Sequence, residues 1–170
     1  MKLLGLDPGL RHTGWGVIRI AGNRLSHVAD GAVSSSPDAP LAERLSELFE
    51  GVRRVIDDFA PDAAAVEETF VNRNARSTLS LGMARGVVLL APARSGLPVA
   101  EYAPNAIKKA VVGAGRADKT QVQMMVRVLL PGCTLASPDA ADALAVAICH
   151  AHHAETGSRW REAPAVAAVP

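Results

Sequence analysis

The order of strand-like and helix-like segments is the sequence feature that most constrains the fold. Three strand-like segments occupy the first 34 residues: the apolar run Lys2–Asp7, a second over 14–20 and a third over 24–34. Gly22-Asn23, between the second and third, is typical of a hairpin turn. Beyond residue 40, helical and strand-like patterns alternate. A meander followed by this alternation predicts an α/β domain with a mixed sheet.

The later segments and the end of the domain follow from the same patterns. The apolar spacing after the loop at 34–40 predicts a helix that begins near Pro40 and ends at Pro61-Asp62. Further strands are predicted over 63–67 and 97–102, and further helices over 75–93, 119–130 and 140–153. Because residues 158–170 lack a periodic pattern, we predict one domain over 1–157 and a flexible tail over 158–170.

Composition excludes several classes of protein. The chain has 170 residues, is 49% hydrophobic and carries a net charge of +1, which suits one domain with one core. A mean hydropathy of +0.15 excludes a mainly disordered chain. No apolar run reaches the roughly 18 residues of a membrane span, and the early charges in Met1–Asp7 argue against a signal peptide. Cys133 and Cys149 are too few for a disulfide scaffold, so we expect a cytoplasmic protein with no membrane partner.

The near-neutral total conceals a basic middle segment. From Thr69 to Leu130 there are nine Lys or Arg against two Asp or Glu, a balance of +7, whereas the remainder has nine against fifteen, a balance of −6. A basic segment on a neutral chain is typical of a surface that binds a polyanion. Solvated helix faces give the same composition, and the charge count leaves both interpretations open.

Four carboxylates occupy positions that suit metal binding. Asp7 ends the first strand, Glu67 ends the fourth, and Asp139 and Asp142 lie three apart at the start of the last helix. Strand ends and a helix start converge at one edge of an α/β sheet, where ligands commonly bind. Carboxylate oxygens are the ligands that Mg²⁺ and Mn²⁺ prefer, and two such ions assist displacement at a phosphodiester.

Each acid also has a purely structural interpretation. Asp7-Pro8-Gly9 suits an Asx turn, and Ser137-Pro138-Asp139 suits a capped helix start. Asp142 is the hardest of the four to explain structurally, because it lies on an Ala-rich helix, where an unpaired charge would be costly. Glu67 and Glu68 face opposite sides of a strand, so only one of them joins Asp7, and the strand pattern does not select which.

Other catalytic arrangements have little support in the sequence. There is no Gly-x-Ser-x-Gly turn and no Walker-type phosphate loop. His150, His152 and His153 have no matching Cys or His pair elsewhere, so we interpret them as surface and helix C-terminal residues. The alternative is that one of them contacts DNA or the acidic site.

Four motifs in order give a specific resemblance. They are Gly5-Leu6-Asp7-Pro8-Gly9 with Thr13-Gly14-Trp15-Gly16, then Ala65-Val66-Glu67-Glu68-Thr69-Phe70, the basic segment from Val111 to Arg127, and Asp139-Ala140-Ala141-Asp142-Ala143-Leu144-Ala145. From about residue 2 to 153, their order and spacing resemble those of the RuvC-type Holliday junction resolvases. The resemblance implies a ribonuclease H-like fold and a homodimeric, metal-dependent endonuclease. It implies paired symmetric nicks in four-way DNA junctions, in recombination and repair, alongside a branch-migration complex (RuvAB).

The resemblance also assigns residues. It selects Glu67 over Glu68 and makes Asp7, Glu67, Asp139 and Asp142 ligands of Mg²⁺ or Mn²⁺, two ions per site, with Lys119 as a further catalytic residue. Some members have His at the position of Asp139. The DNA contacts that it implies are Phe70, Arg73, Arg76, Lys108, Lys109, Arg116 and Lys119.

Several alternatives remain open at this point. Phe70 alone would suit a core position, and Lys108 and Lys109 would suit a solvated helix face. The helix over 75–93 is apolar on more than one face, which suits both core and dimer interface. Alternative functions are a protein that binds branched DNA without cutting it, an actin-like or sugar-kinase-like phosphotransfer module, and an RNA-processing or repair nuclease of the same fold.

Overall fold

A five-stranded sheet organises the chain in the computed structural model, which describes residues 1–68 and 74–162. The strands are β1 (Lys2–Asp7), β2 (His12–Ala21), β3 (Arg24–Ser34), β4 (Ala63–Glu67) and β5 (Val99–Tyr102). The helices of these ranges are α1 (Leu41–Phe59), α2 (Ala75–Arg94), α3 (Pro104–Val112), α4 (Lys119–Leu129) and α5 (Pro138–Glu162).

The sheet is mixed, as the order of segments predicts. Its strand order is β3-β2-β1-β4-β5, with β1, β2 and β3 antiparallel and β1, β4 and β5 parallel. Ala21 pairs with Arg24 across the Gly22-Asn23 turn, and Gly22 takes a φ of +57°, which glycine adopts without strain. The α/β prediction is confirmed, and with it the hairpin.

The largest difference from the predicted boundaries is at the end of the last helix. The helix α5 runs to Glu162 and so extends through residues 158–162 of the predicted tail. Residues 163–170 lie outside the described ranges, and their flexibility stays a prediction.

Alternation along the strands divides the core into two layers. Leu4, Leu6 and Val66 pack on the side of α1 and α2, whereas Leu3 and Ala65 pack on the side of α3, α4 and α5. Successive strand residues point to opposite faces. Asp7 follows Leu3 by four residues and Glu67 follows Ala65 by two, so both carboxylates lie on the α5 side where β1 and β4 end.

Glycines let α5 lie directly against the sheet. A methyl group added to Gly5 would lie 2.0 Å from the carbonyl oxygen of Ala143, and one added to Gly14 would lie 2.1 Å from that of Asp139. Both distances are too short for any side chain, so these two positions require glycine. The close approach brings the first turns of α5 to the edge of the sheet where β1 ends.

Two further features of the described ranges concern membrane spans and disulfides. No helix there is long and apolar enough to cross a membrane. Cys133 is partly exposed, Cys149 is buried, and neither forms a disulfide.

Candidate active site

Three of the predicted carboxylates line one pocket. Asp7 from β1, Glu67 from β4 and Asp142 from α5 surround a cavity of about 250 Å³. Lys108 from α3 and Lys119 from α4 line the same cavity. The structure therefore brings acids from both halves of the chain together with two lysines of the basic middle segment.

Asp7 and Glu67 in this pocket have higher pKa values than carboxylic acids in water. Burial, followed by the nearby charges of Glu67, Asp142 and Asp139, raises the pKa of Asp7 to about 8. Burial, followed by the charge of Asp142, raises the pKa of Glu67 to about 7. A side-chain hydrogen bond with Asp7 lowers the pKa of Glu67 but does not offset this rise. A buried group of acids with these pKa values favours the binding of cations.

A lysine supplies part of the missing positive charge. The Nζ of Lys119 donates to Oδ2 of Asp142 at 3.0 Å, although its side chain is 75% exposed. This bond to Asp142 and the charge of Asp142 raise the pKa of Lys119. Lys119 is the first residue of α4, and a capping box between Asp118 and Gln121 fixes that helix start.

The carboxylate pocket is open rather than a closed metal cage. Among the side chains that the structure describes, in residues 1–68 and 74–153, no three His, Cys, Asp or Glu already have the spacing that encloses a metal ion. The donor set itself suits hard divalent cations, which take carboxylate oxygens and keep several waters. Asp142 now faces Lys119, so an ion that uses its carboxylate would have to share it with the lysine or displace the lysine.

Asp139 lies beside the pocket rather than among its lining residues. Its charge raises the pKa of Asp7, so the two carboxyl groups are near enough to interact. The amide of Ala140 donates to Oγ of Ser137 at 3.1 Å, which is the capped helix start that the sequence suggested. Asp139 thus occupies a first-turn position, where a helix stabilises a carboxylate, and also a position near the other acids.

The remaining basic residues predicted to contact DNA are spread over several surfaces. Arg116 is exposed in the turn between α3 and α4. Lys109 is directed away from the acids and lines a separate groove with His152 and His153. Arg76 is exposed in the first turn of α2. Phe70 and Arg73 lie outside the described residues.

The histidine group serves to attach α5 to its neighbours. The hydroxyl of Tyr102 lies 2.9 Å from Nδ1 of His150, and the ring of Tyr102 stacks on that of His153. His152 Nδ1 lies 3.1 Å from the carbonyl oxygen of Ala110. The interpretation of these histidines as helix C-terminal residues is wrong, because α5 continues to Glu162.

Two features of the site were missed in the sequence. Thr13 is fully buried and its hydroxyl donates to the carbonyl oxygen of Gly9 at 2.9 Å, which fixes the turn that follows Asp7. Gly14 admits the backbone of Asp139, as described above. The signal for Gly14 was present, because glycines at alternate positions of a strand often mark a close backbone approach.

Comparison with known proteins assigns the family. The profile of the family described as crossover junction endodeoxyribonuclease RuvC matches residues 3–150. The chain belongs to the RuvC family. A RuvC of Paramagnetospirillum magneticum is 64% identical over 167 residues, which are 98% of this chain and 99% of the relative. A RuvC of Rhodospirillum rubrum is 64% identical over 153 residues, 90% of each chain.

Solved structures agree with this assignment. A structure described as T. thermophilus RuvC in complex with Holliday junction substrate has a TM-score of 0.86 and 38% identity, and covers 93% of this chain and 97% of that one. The resemblance drawn from the four motifs is confirmed, as are the ribonuclease H-like fold and the class of enzyme, a metal-dependent crossover junction endodeoxyribonuclease. The phosphotransfer alternative is thereby excluded.

Proposed function

We propose that this chain resolves four-way DNA junctions by paired, symmetric nicks in strands of like polarity, in homologous recombination and repair. The observation that carries the proposal is the pocket in which Asp7, Glu67 and Asp142 meet Lys108 and Lys119. The RuvC of T. thermophilus, whose structure was solved with a Holliday junction substrate, supports the choice of DNA.

The donor set fits divalent metal ions. Asp7, Glu67 and Asp142 would hold them, with Asp139 at the margin, and we propose two Mg²⁺ or Mn²⁺ ions per site. Burial and the charges of the neighbouring acids make Asp7 and Glu67 difficult to ionise without a cation, which is a cost that a purely structural cluster would avoid. When bound, such ions supply an activated water and stabilise the charge on the leaving oxygen.

The side chains of the chain itself perform three tasks in this proposal. Asp7 and Glu67, whose pKa values burial and nearby charges raise to about 8 and about 7, would release protons as they take up cations. Lys119 stabilises negative charge that develops on the phosphate, because its ammonium already lies at the carboxylate rim. Lys108, whose charge lowers the pKa of Glu67 and which lines the same pocket, adds a second positive charge for the phosphate.

A two-fold dimer would present two such sites to the two cleaved strands. The helix α2 exposes a row of large apolar side chains: Leu79 is 62% exposed, Met83 39% and Leu90 50%. Exposed apolar residues on one helix are typical of an interface between subunits. We propose this face of α2 as the homodimer interface.

We also propose that the enzyme works in the cytoplasm, where a branch-migration complex of the RuvAB kind delivers the junction.

Cleavage of a synthetic mobile four-way junction tests the function. The controls are a linear DNA duplex and an RNA duplex of the same sequence, each with Mg²⁺, Mn²⁺ or EDTA. The expected result is paired nicks at symmetric positions, dependent on metal and lost in Asp7→Asn.

Two outcomes would contradict the proposal. Junction binding without cleavage in either metal would indicate a binding-only protein. Preferred cleavage of linear DNA or of RNA would indicate a different nuclease of this fold.

A further inference from the structure

A second groove, lined by three arginines, lies next to the turn between β1 and β2. Arg11 comes from this turn, Arg44 from α1 and Arg76 from the first turn of α2. Ser77 and Ser80 of α2 complete the polar lining of a cavity of about 380 Å³. Three elements that are far apart in sequence thus place guanidinium groups around one space.

These arginines form no ion pair within the parts of the chain that the structure describes. No Asp or Glu lines the groove, and none lies within ion-pair distance of Arg11, Arg44 or Arg76. The carboxylate of Glu47 interacts with the charge of Arg44 from beyond ion-pair distance, while it accepts hydrogen bonds from the amide and hydroxyl of Ser36. Three guanidinium groups that form no ion pair repel one another, and a bound anion would relieve that repulsion.

The groove is fixed in shape before any ligand arrives. Nε of Arg44 donates to Oγ of Ser35 at 3.0 Å, and Nη2 donates to the carbonyl oxygen of Leu10 at 3.4 Å. The amide of Ser35 donates to the carbonyl oxygen of Arg11 at 3.1 Å, so the backbone that carries Arg11 is also held. Because a guanidinium has five N–H donors, Arg44 keeps donors for a ligand after making these two bonds.

The arginine side chains, rather than the backbone amides at the start of α2, supply the hydrogen-bond donors for an anion in this groove. Oδ1 of Asn74 accepts from the amides of Arg76 and Ser77 at 3.0 and 3.2 Å, so these amides are already engaged. Guanidinium groups match the geometry of phosphate oxygens, to which they form paired hydrogen bonds. A phosphate is therefore the anion that this groove fits best.

The groove and the carboxylate pocket lie at the same edge of the sheet. Arg11 follows Asp7 by four residues, so their Cα atoms are at most about 14 Å apart. A strand of B-form DNA advances about 3.4 Å per nucleotide, so this distance corresponds to about four nucleotides. The groove lies on the side of α1 and α2, whereas the acids face α5, so DNA that crosses the edge would contact both.

We propose that the groove formed by Arg11, Arg44 and Arg76 binds a backbone phosphate of the junction, within about four nucleotides of the nick. This inference rests on the proposed function and extends it, because Arg11 and Arg44 lie outside the basic middle segment and carry no role in the reaction. A phosphate held there fixes the register of the strand, so that the scissile bond lies at the acids.

Salt dependence of junction binding in EDTA tests the proposal. Arg11→Gln removes an exposed charge with little effect on packing. The matched control is Arg19→Gln. Arg19 is also exposed, but it pairs with Lys2 and so lies near the opposite end of the sheet. Arg11→Gln is expected to reduce the slope of log Kd against log salt concentration by about 0.7–0.9, the value for one lost phosphate contact. Arg19→Gln is expected to keep the wild-type slope.

Single methylphosphonate substitutions locate the contact. At one position within about four nucleotides of the nick, the neutral analogue is expected to weaken binding of the wild type but not of Arg11→Gln. The same methylphosphonate is expected not to weaken binding of Arg44→Gln either, provided that the thermal unfolding of this variant matches that of the wild type.

The outcomes separate this inference from the proposed function. A wild type that does not bind the junction overturns both. A wild type that binds while Arg11→Gln keeps the full slope overturns this inference alone. A change of oligomeric state in Arg11→Gln, with the slope unchanged, overturns it too and assigns the groove to subunit contact.

Discussion

The most direct consequence of the pocket's electrostatics is that Asp7 destabilises the metal-free protein as the pH rises. Asp7→Asn keeps the shape of the side chain and removes the ionisable proton. We therefore expect the variant to be more stable than the wild type at pH 7–8 without metal, even though it loses cleavage. At pH 5 the two proteins differ less.

The magnitude follows from the two pKa values. In the unfolded chain the pKa of Asp7 is near 3.8, and in the folded protein burial and the charge of Glu67 raise it to about 8. Between these values the unfolded chain has released a proton that the folded chain retains, so the free energy of unfolding falls as pH rises, by about 1.4 kcal/mol per pH unit. From pH 5 to pH 7 this amounts to about 3 kcal/mol, or roughly 6–10 °C in Tm for a chain of this size.

The assay is thermal or urea unfolding of both proteins in EDTA at pH 5, 6, 7 and 8. Asp58→Asn, which removes an exposed carboxylate on α1, controls for the loss of one negative charge. A parallel series with Mn²⁺ is expected to raise the Tm of the wild type at pH 8 and to leave Asp7→Asn almost unchanged, because ligands that bind only the folded state stabilise it.

One result would refute this reasoning. If the difference in stability between wild type and Asp7→Asn stays constant from pH 5 to pH 8 in EDTA, Asp7 does not hold a proton in the folded protein. The close contact with Glu67 would then lack the electrostatic cost that we assign to it.

Three further predictions concern the walls of the site and the dimer. Lys108→Gln is expected to slow single-turnover cleavage by at least about tenfold, because Lys108 lines the acidic pocket. Lys109 lines a separate groove, so Lys109→Gln is expected to alter only junction affinity. Equal cleavage rates in the two variants would contradict this assignment. Gly14→Ala displaces the backbone of Asp139, so it is expected to cost about 1–3 kcal/mol of stability. It is also expected to reduce metal binding, measured by calorimetry. A variant with unchanged stability would show that α5 is not held at this position. Met83→Glu is expected to yield monomers in light scattering and to abolish paired nicking, and a variant that remains dimeric would exclude this face of α2.

Local signals explain which elements could be predicted. The third strand was predicted over 24–34 and lies there, because the Gly22-Asn23 turn sets its start and the loop at 34–40 sets its end. The end of α5 could not be predicted in the same way. Gly157 is typical of a helix C-cap, yet the helix continues past it to Glu162.

The site divides between what is local and what depends on packing. The four acids stand out in the sequence because each follows an apolar run or opens a helix. The selection of Glu67 over Glu68 from strand alternation required knowing which face of the sheet α5 covers. The groove of Arg11, Arg44 and Arg76 could not be predicted from the sequence, because only tertiary packing brings these three segments together.

Cleavage of a mobile four-way junction by Glu67→Gln and Glu68→Gln tests the central claim most directly. The two variants remove the same charge from adjacent residues, but only Glu67 lines the pocket with Asp7 and Asp142. With Mg²⁺ and saturating enzyme, we expect Glu67→Gln to cleave at least about a hundredfold more slowly than wild type, and Glu68→Gln to stay within about threefold of it. Equal loss in both variants, or full activity in Glu67→Gln, would contradict this claim.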